Sequence, residues 1–191
     1  MRKTQYIPSD AGVIGFIGKE WKRKGLMKAI EIVKQLQISR PKLQFVVVGP
    51  EPESIQHLFN DWQDGYVLKG WLEHADYSEF DVLLHPAKAE PYGMVISEAM
   101  AAKVPVVISD ICGSAVHVTS AAGQVLPLDS SIEEWTNAIE DQLVRTEPVP
   151  QFERSWCRVA REYENRWHLM NSDWGKTSTN ELDLTGVYFT H

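Results

Sequence analysis

The chain has 191 residues, an apolar share of 43% and a net charge of −7 at pH 7. That length suits one domain with room for an appendage. The acidic balance argues against a general nucleic-acid binder and against a piece that grips an anionic membrane by itself, but leaves room for a local basic pocket. No run approaches the ~18 apolar residues of a membrane span, and no signal peptide opens the chain. Two cysteines, Cys112 and Cys157, fit a reducing, cytoplasmic compartment without a disulfide framework.

Residues 1–11 are polar and read as a linker or an exposed end. A short apolar run at 13–18 predicts a buried strand. The spacing of Leu26, Ala29, Ile30, Val33 and Leu36 predicts a helix over 24–37. A second strand, 43–48, ends at Gly49-Pro50. A helix over 54–62, a third strand at 66–68, a helical turn at 76–80 and a fourth strand at 82–85 follow. The next expected elements are a helix over 93–102, a strand at 104–109, a short helix within 113–121 and a strand at 124–128. The helix expected over 132–144 has Glu133 and Glu134 in its first turn, where the helix dipole favours negative charge.

Strands that alternate with helices and read as continuous apolar runs imply a parallel sheet covered on both faces. The fold class is therefore a Rossmann-like, three-layer α/β/α domain with six strands, over 12–150. Ligands bind such sheets outside the carboxyl ends of the strands. After Pro150 the character changes. Trp156, Val159, Tyr163, Trp167 and Met170 lie at helical spacing among charges, which predicts an amphipathic helix within 151–171. Residues 172–191 carry no assignable pattern.

The stretch from Glu90 to Ala102 holds the densest chemistry. In its helix only Ser97 and Glu98 are polar, so the helix is expected to be mostly buried and Glu98 to need a partner. The amides of Gly93, Met94 and Val95 are the unpaired donors of a helix N-terminus, which suits an anion. Glu90 sits just before them. Amides for a phosphate and two carboxylates for hydroxyl groups together suit a sugar nucleotide. The loop 18–25 carries Lys19, Lys22, Arg23 and Lys24 at a strand's carboxyl end, where they can neutralise a diphosphate; the plainer reading is a solvated basic loop. Gly12, Gly15 and Gly18 have the wrong spacing and place for a dinucleotide fingerprint and are taken as structural. Two readings stand for His85, a structural imidazole or a contact to donor or acceptor. Two stand for Trp71, stacking on a base or packing on the next helix. No His, Cys or carboxylate set has metal-ligand spacing; His74 and Asp76 are isolated. No strand-following Gly-x-Ser-x-Gly elbow supports a serine hydrolase.

Glu90 and Glu98 are separated by seven residues, with Gly93 three after the first and Ala99 after the second. That block, with His85-Pro86-Ala87 before it and Val104-Pro105-Val106-Val107 after it, resembles the signature of retaining glycosyltransferases of GT-B architecture, glycosyl transferases group 1 type. Arg23-Lys24-Gly25 and Cys112-Gly113-Ser114-Ala115 extend the resemblance to the glucosyltransferases of the lipopolysaccharide core, over roughly 12–145. The resemblance implies the donor-binding half of such an enzyme, which transfers a hexose from a UDP-sugar to a saccharide or lipid-linked acceptor in cell-surface polysaccharide or lipopolysaccharide synthesis. It implies that Glu98 bonds the ribose hydroxyls and that Glu90 holds hydroxyls of the transferred sugar. Gly93, Met94 and Val95 would bind the diphosphate with Lys24 and either Lys19 or Arg23, and the loop of Trp71 would hold the base.

No bound metal or other cofactor is expected. The implied partners are the nucleotide-sugar donor and an N-terminal acceptor-binding domain absent from this chain, without which it is expected to be inactive. The whole enzyme would sit at the inner face of the membrane, and the helix over 151–171 would cross back onto the other domain. The sequence departs from the family pattern at Lys19, where Arg is usual, at Gly49-Pro50-Glu51, at Lys103, and at Ser114-Ala115-Val116, where a Glu is often found. These departures bear on the donor. A sugar-nucleotide epimerase and a non-catalytic nucleotide-binding module are the alternatives on the same architecture.

Overall fold

A computed structural model describes residues 8–152, together with Arg161 and Glu164. The chain divides into two compact units, Met1–Phe152 and Glu153–His191. The expected helix over 151–171, apart from its first two residues and that pair, and the tail 172–191 lie outside the described residues. The sheet and its helices belong to the first unit.

Six strands form one parallel sheet: β1 Ala11–Ile17, β2 Lys42–Val48, β3 Tyr66–Gly70, β4 Val82–His85, β5 Val106–Ser109 and β6 Gly123–Leu126. Their spatial order is β3-β2-β1-β4-β5-β6. The period-two alternation of a strand sends neighbouring residues to opposite faces. Ile14, Phe16, Phe45, Val47, Val82, Leu84 and Val107 enter one core, with α1 Leu26–Ser39 and α4 Ile132–Leu143. Val46, Val48, Leu83, Val106 and Ile108 enter the other, with α3 Met94–Ala101. Both faces are thus dry, which is why the strands read as unbroken apolar runs.

Several boundaries differ from the sequence reading for local reasons. The helix expected from 24 begins at Leu26 because Gly25 takes a left-handed φ of 81°. A side chain there would collide with the Pro86 carbonyl, so only glycine lets this loop lie against the next one. The helix expected over 54–62 is a single α turn, α2 Pro52–Ile55, followed by a 3₁₀ segment, Gln56–Phe59. Aromatic packing holds that segment down: Phe59 stacks on Trp62 at 5.3 Å and on Tyr66 at 4.6 Å between ring centroids. The strand expected from 104 starts at Val106, since Pro105 has no amide to give the ladder. The short helix within 113–121 is a 3₁₀ turn, Gly113–His117. Helix α4 has a capping box, with Ser131 and Glu134 each satisfying the other's backbone amide.

Candidate functional site

The strand order reverses at β1, between neighbours β2 and β4. In open parallel sheets the loops that leave two such strands in opposite directions open a crevice between them. Here those loops are 18–25 after β1 and 86–93 after β4, and they hold the basic run and Glu90 respectively. Backbone bonds fasten them together. The Lys88 amide donates to the Arg23 carbonyl at 2.9 Å. Arg23 donates through Nη1 to the Ala89 carbonyl at 2.8 Å, and through Nε and Nη2 to Glu20. A third loop joins them: the Gly113 amide donates to the Glu90 carbonyl and the Ser114 amide to that of Tyr92. Three blocks distant in sequence therefore meet at one crevice.

Lys24 and Glu90 form an ion pair in this crevice, their side chains 15% and 7% exposed. His85 Nε2 lies 3.4 Å from the same carboxylate oxygen, Oε2. The His85 ring is fully buried and stacked against Phe16. Burial, then the Lys24 and Arg23 charges, push its pKa down to about 3. It is therefore neutral at physiological pH, and its contact with Glu90 is a hydrogen bond from Nε2–H rather than a salt bridge. Its Nδ1 has no partner among the described residues, and neither does the buried Ser114 hydroxyl. Burial and the Arg23 charge press Lys24 below its ordinary pKa, while the Glu20 carboxylate and Cys112 oppose that shift.

Helix α3 starts at Met94, after Gly93 with φ 90°. By helix geometry the amides of Gly93, Met94 and Val95 have no acceptor inside the helix. The sequence implied a mostly buried helix, and here the structure corrects it. Ile96, Ser97, Ala99 and Met100 are buried, but Met94 is 62% exposed and Glu98 is exposed. The stripe that faces out points away from the sheet, so Glu98 needs no buried partner. It has one at the surface: the Tyr77 hydroxyl donates to Glu98 Oε2 at 2.5 Å. Burial, followed by that carboxylate, raises the Tyr77 pKa well beyond the usual phenol range. Tyr77 was not singled out from sequence; its only signal was a place in the short turn before β4.

Trp71 is 62% exposed. The Lys19 ammonium lies over its ring, 5.8 Å from the centroid, a cation–π contact. The candidates thus form three clusters on the carboxyl side of the sheet. Lys24, Glu90 and His85 sit at its middle, with Arg23 braced beside them. Lys19 and Trp71 form the second, and Glu98 with Tyr77 the third. Among the described residues, no group of three or more His, Cys, Asp or Glu side chains could hold a metal ion, and no helix is long and apolar enough to cross a membrane.

The model of a known family, Glycosyl transferases group 1, matches residues 11–144. The chain belongs to this family. It is 28% identical over 175 residues to the lipopolysaccharide glucosyltransferase WaaG of Escherichia coli, an alignment covering 88% of this chain and 46% of that one. It is 30% identical over 149 residues to the 2-deoxystreptamine glucosyltransferase of Streptomyces kanamyceticus, covering 70% and 38% respectively. The crystal structure of WaaG superposes with a TM-score of 0.63 at 27% identity, over 73% of this chain and 40% of that one. The chain thus spans less than half the length of these relatives. At 22% identity and a TM-score of 0.58, Anabaena HepE, solved with UDP and glucose, shares the fold.

Proposed function

We propose that this chain is the donor-binding half of a retaining glycosyltransferase that takes a hexose from a UDP-sugar. The observation that carries the reading is the ion pair of Lys24 and Glu90 at the point where the strand order reverses, in the loop that leads into the N-terminus of α3. A diphosphate set there gains the α3 amides and the Lys24 ammonium, and both stabilise a leaving nucleoside diphosphate. Lys19 is the second cation, because the guanidinium of Arg23 is already committed to Glu20 and Ala89. Glu90 takes hydroxyls of the sugar and Glu98 those of the ribose, with Tyr77 holding Glu98. Trp71 is open to a base. His85 supports Glu90 through Nε2. No metal is required, since the positive groups come from the chain.

On this reading acceptor binding belongs to a second domain, for which the greater length of the relatives leaves room. The whole enzyme works in the cytoplasm at the membrane's inner face, in the synthesis of surface polysaccharide or lipopolysaccharide. Holding donor and acceptor together is worth as much as ~7–11 kcal/mol, so these 191 residues alone should bind donor and transfer nothing. Calorimetric titration with UDP-glucose, beside a radiolabelled transfer assay with saccharide and lipid-linked acceptors, tests both halves of the statement. Binding without turnover supports it. Turnover of ~1 s⁻¹ or more would place the acceptor site within this chain, and epimerised UDP-sugar would make it an epimerase.

A further inference from the structure

The pairing of Lys24 with Glu90 joins two groups that the reading above assigns to different halves of the donor, phosphate and sugar. Glu90 is nearly enclosed, and its other neighbour is the neutral imidazole of His85, at 3.4 Å. Among the described residues, Lys24 is therefore the one positive charge in direct contact with this carboxylate. The nearby Arg23 is turned to Glu20 and the Ala89 carbonyl. A diphosphate that draws on Lys24 must share the ammonium with Glu90 or take it away. Either way an enclosed carboxylate is left under-compensated beside a new anion, and both effects oppose binding. A sugar attached to the diphosphate removes the difficulty, because its hydroxyls donate to Glu90 as the ammonium leaves.

We propose that the Lys24–Glu90 ion pair is a selectivity latch: it disfavours a bare nucleoside diphosphate and yields to one that carries a sugar. The inference rests on the donor-binding reading above. It gives Glu90 a second task besides holding the sugar. Once the sugar has left, the pair re-forms and helps expel the nucleoside diphosphate, so product inhibition is weak.

The test compares the wild-type 191-residue chain, Glu90→Gln and the double variant Lys24→Gln/Glu90→Gln, each titrated calorimetrically with UDP, UDP-glucose and inorganic pyrophosphate. Glu90→Gln should bind UDP and pyrophosphate roughly tenfold more tightly than wild type, because a costly enclosed charge has gone. UDP-glucose should gain nothing or lose affinity, so the preference for the sugar nucleotide collapses. The gain should vanish in the double variant, in which no ammonium is freed. Glu90→Ser serves the same comparison if the glutamine variant does not fold. Glu90→Gln that leaves UDP and pyrophosphate affinity unchanged or lower overturns the latch alone. So does a gain that persists without Lys24. Wild-type chain that binds neither UDP nor UDP-glucose overturns the latch together with the donor-binding reading.

Discussion

Two of the ion pairs that tie separate elements of this domain together, Arg40–Glu140 and Lys24–Glu90, are built in opposite ways. Arg40, 4% exposed, donates to Glu140 at 2.8 Å and to the carbonyls of Pro8 and Ala11, so α1, α4 and the start of β1 are clamped together. Its donors are met by acceptors on every side, and Glu140 keeps contact with water. Lys24 and Glu90 lie at the other end of the sheet beside groups that lack partners among the described residues, His85 Nδ1 and the Ser114 hydroxyl, and close to the N-terminus of α3, whose first amides have no acceptor inside the helix. A buried polar group that is fully bonded specifies structure, whereas one that is short of partners holds capacity for a ligand. The difference between the pairs is the difference between a rivet and a site.

The sharpest way to break this comparison is Arg40→Met. It should lower folding stability by about 3 kcal/mol, through the loss of the charge-assisted bonds from Arg40 to Glu140 and to two carbonyls, and leave UDP-glucose affinity unchanged. Urea denaturation beside calorimetry would show it, and a loss of affinity would mean the two ends are not separate. Acid should act at the other end. The folded pKa of His85, about 3, lies below its ordinary 6.5, so between those values the unfolded chain binds more protons and stability rises with pH. This contribution is fully present at pH 7 and falls by roughly 3 kcal/mol by pH 4. His85→Gln should flatten that slope, and an unchanged slope would show that other groups set it.

Smaller effects separate binding from folding at the crevice itself. Lys24→Gln should weaken UDP and UDP-glucose binding by about 1.5–3 kcal/mol and spare uridine, since only the phosphates touch it. An equal loss for uridine would make the loop structural, like the Arg40 clamp. Glu98→Ala should cost about 1.5 kcal/mol in UDP-glucose affinity, the low end for a bond to a charged group. Because Glu98 is exposed, the melting temperature should barely move. Tyr77→Phe should give the smallest change, about 1 kcal/mol or less in the same titration; equal affinities would leave the Tyr77–Glu98 contact a surface feature.

The chain's own residues determined the architecture, because apolar runs bounded by glycine and proline carry their information locally. Strands β1 to β6 and helices α1, α3 and α4 all lie where the patterns put them, within a few residues. The spacing of Glu90 and Glu98 around Gly93, and the basic run before Gly25, were likewise legible, and they led to the family. Exposure was not. Helix α3 is apolar almost throughout, yet its composition could not tell which side meets the sheet, so Glu98 was expected inside and lies outside. Nor could local pattern show that Lys24 faces Glu90 across 66 residues of chain, that Tyr77 reaches Glu98, or that Lys19 covers Trp71. Those meetings depend on which strands lie side by side. Strand order is a property of the packed sheet, decided by how two dry faces are covered at once, and no window of sequence contains it.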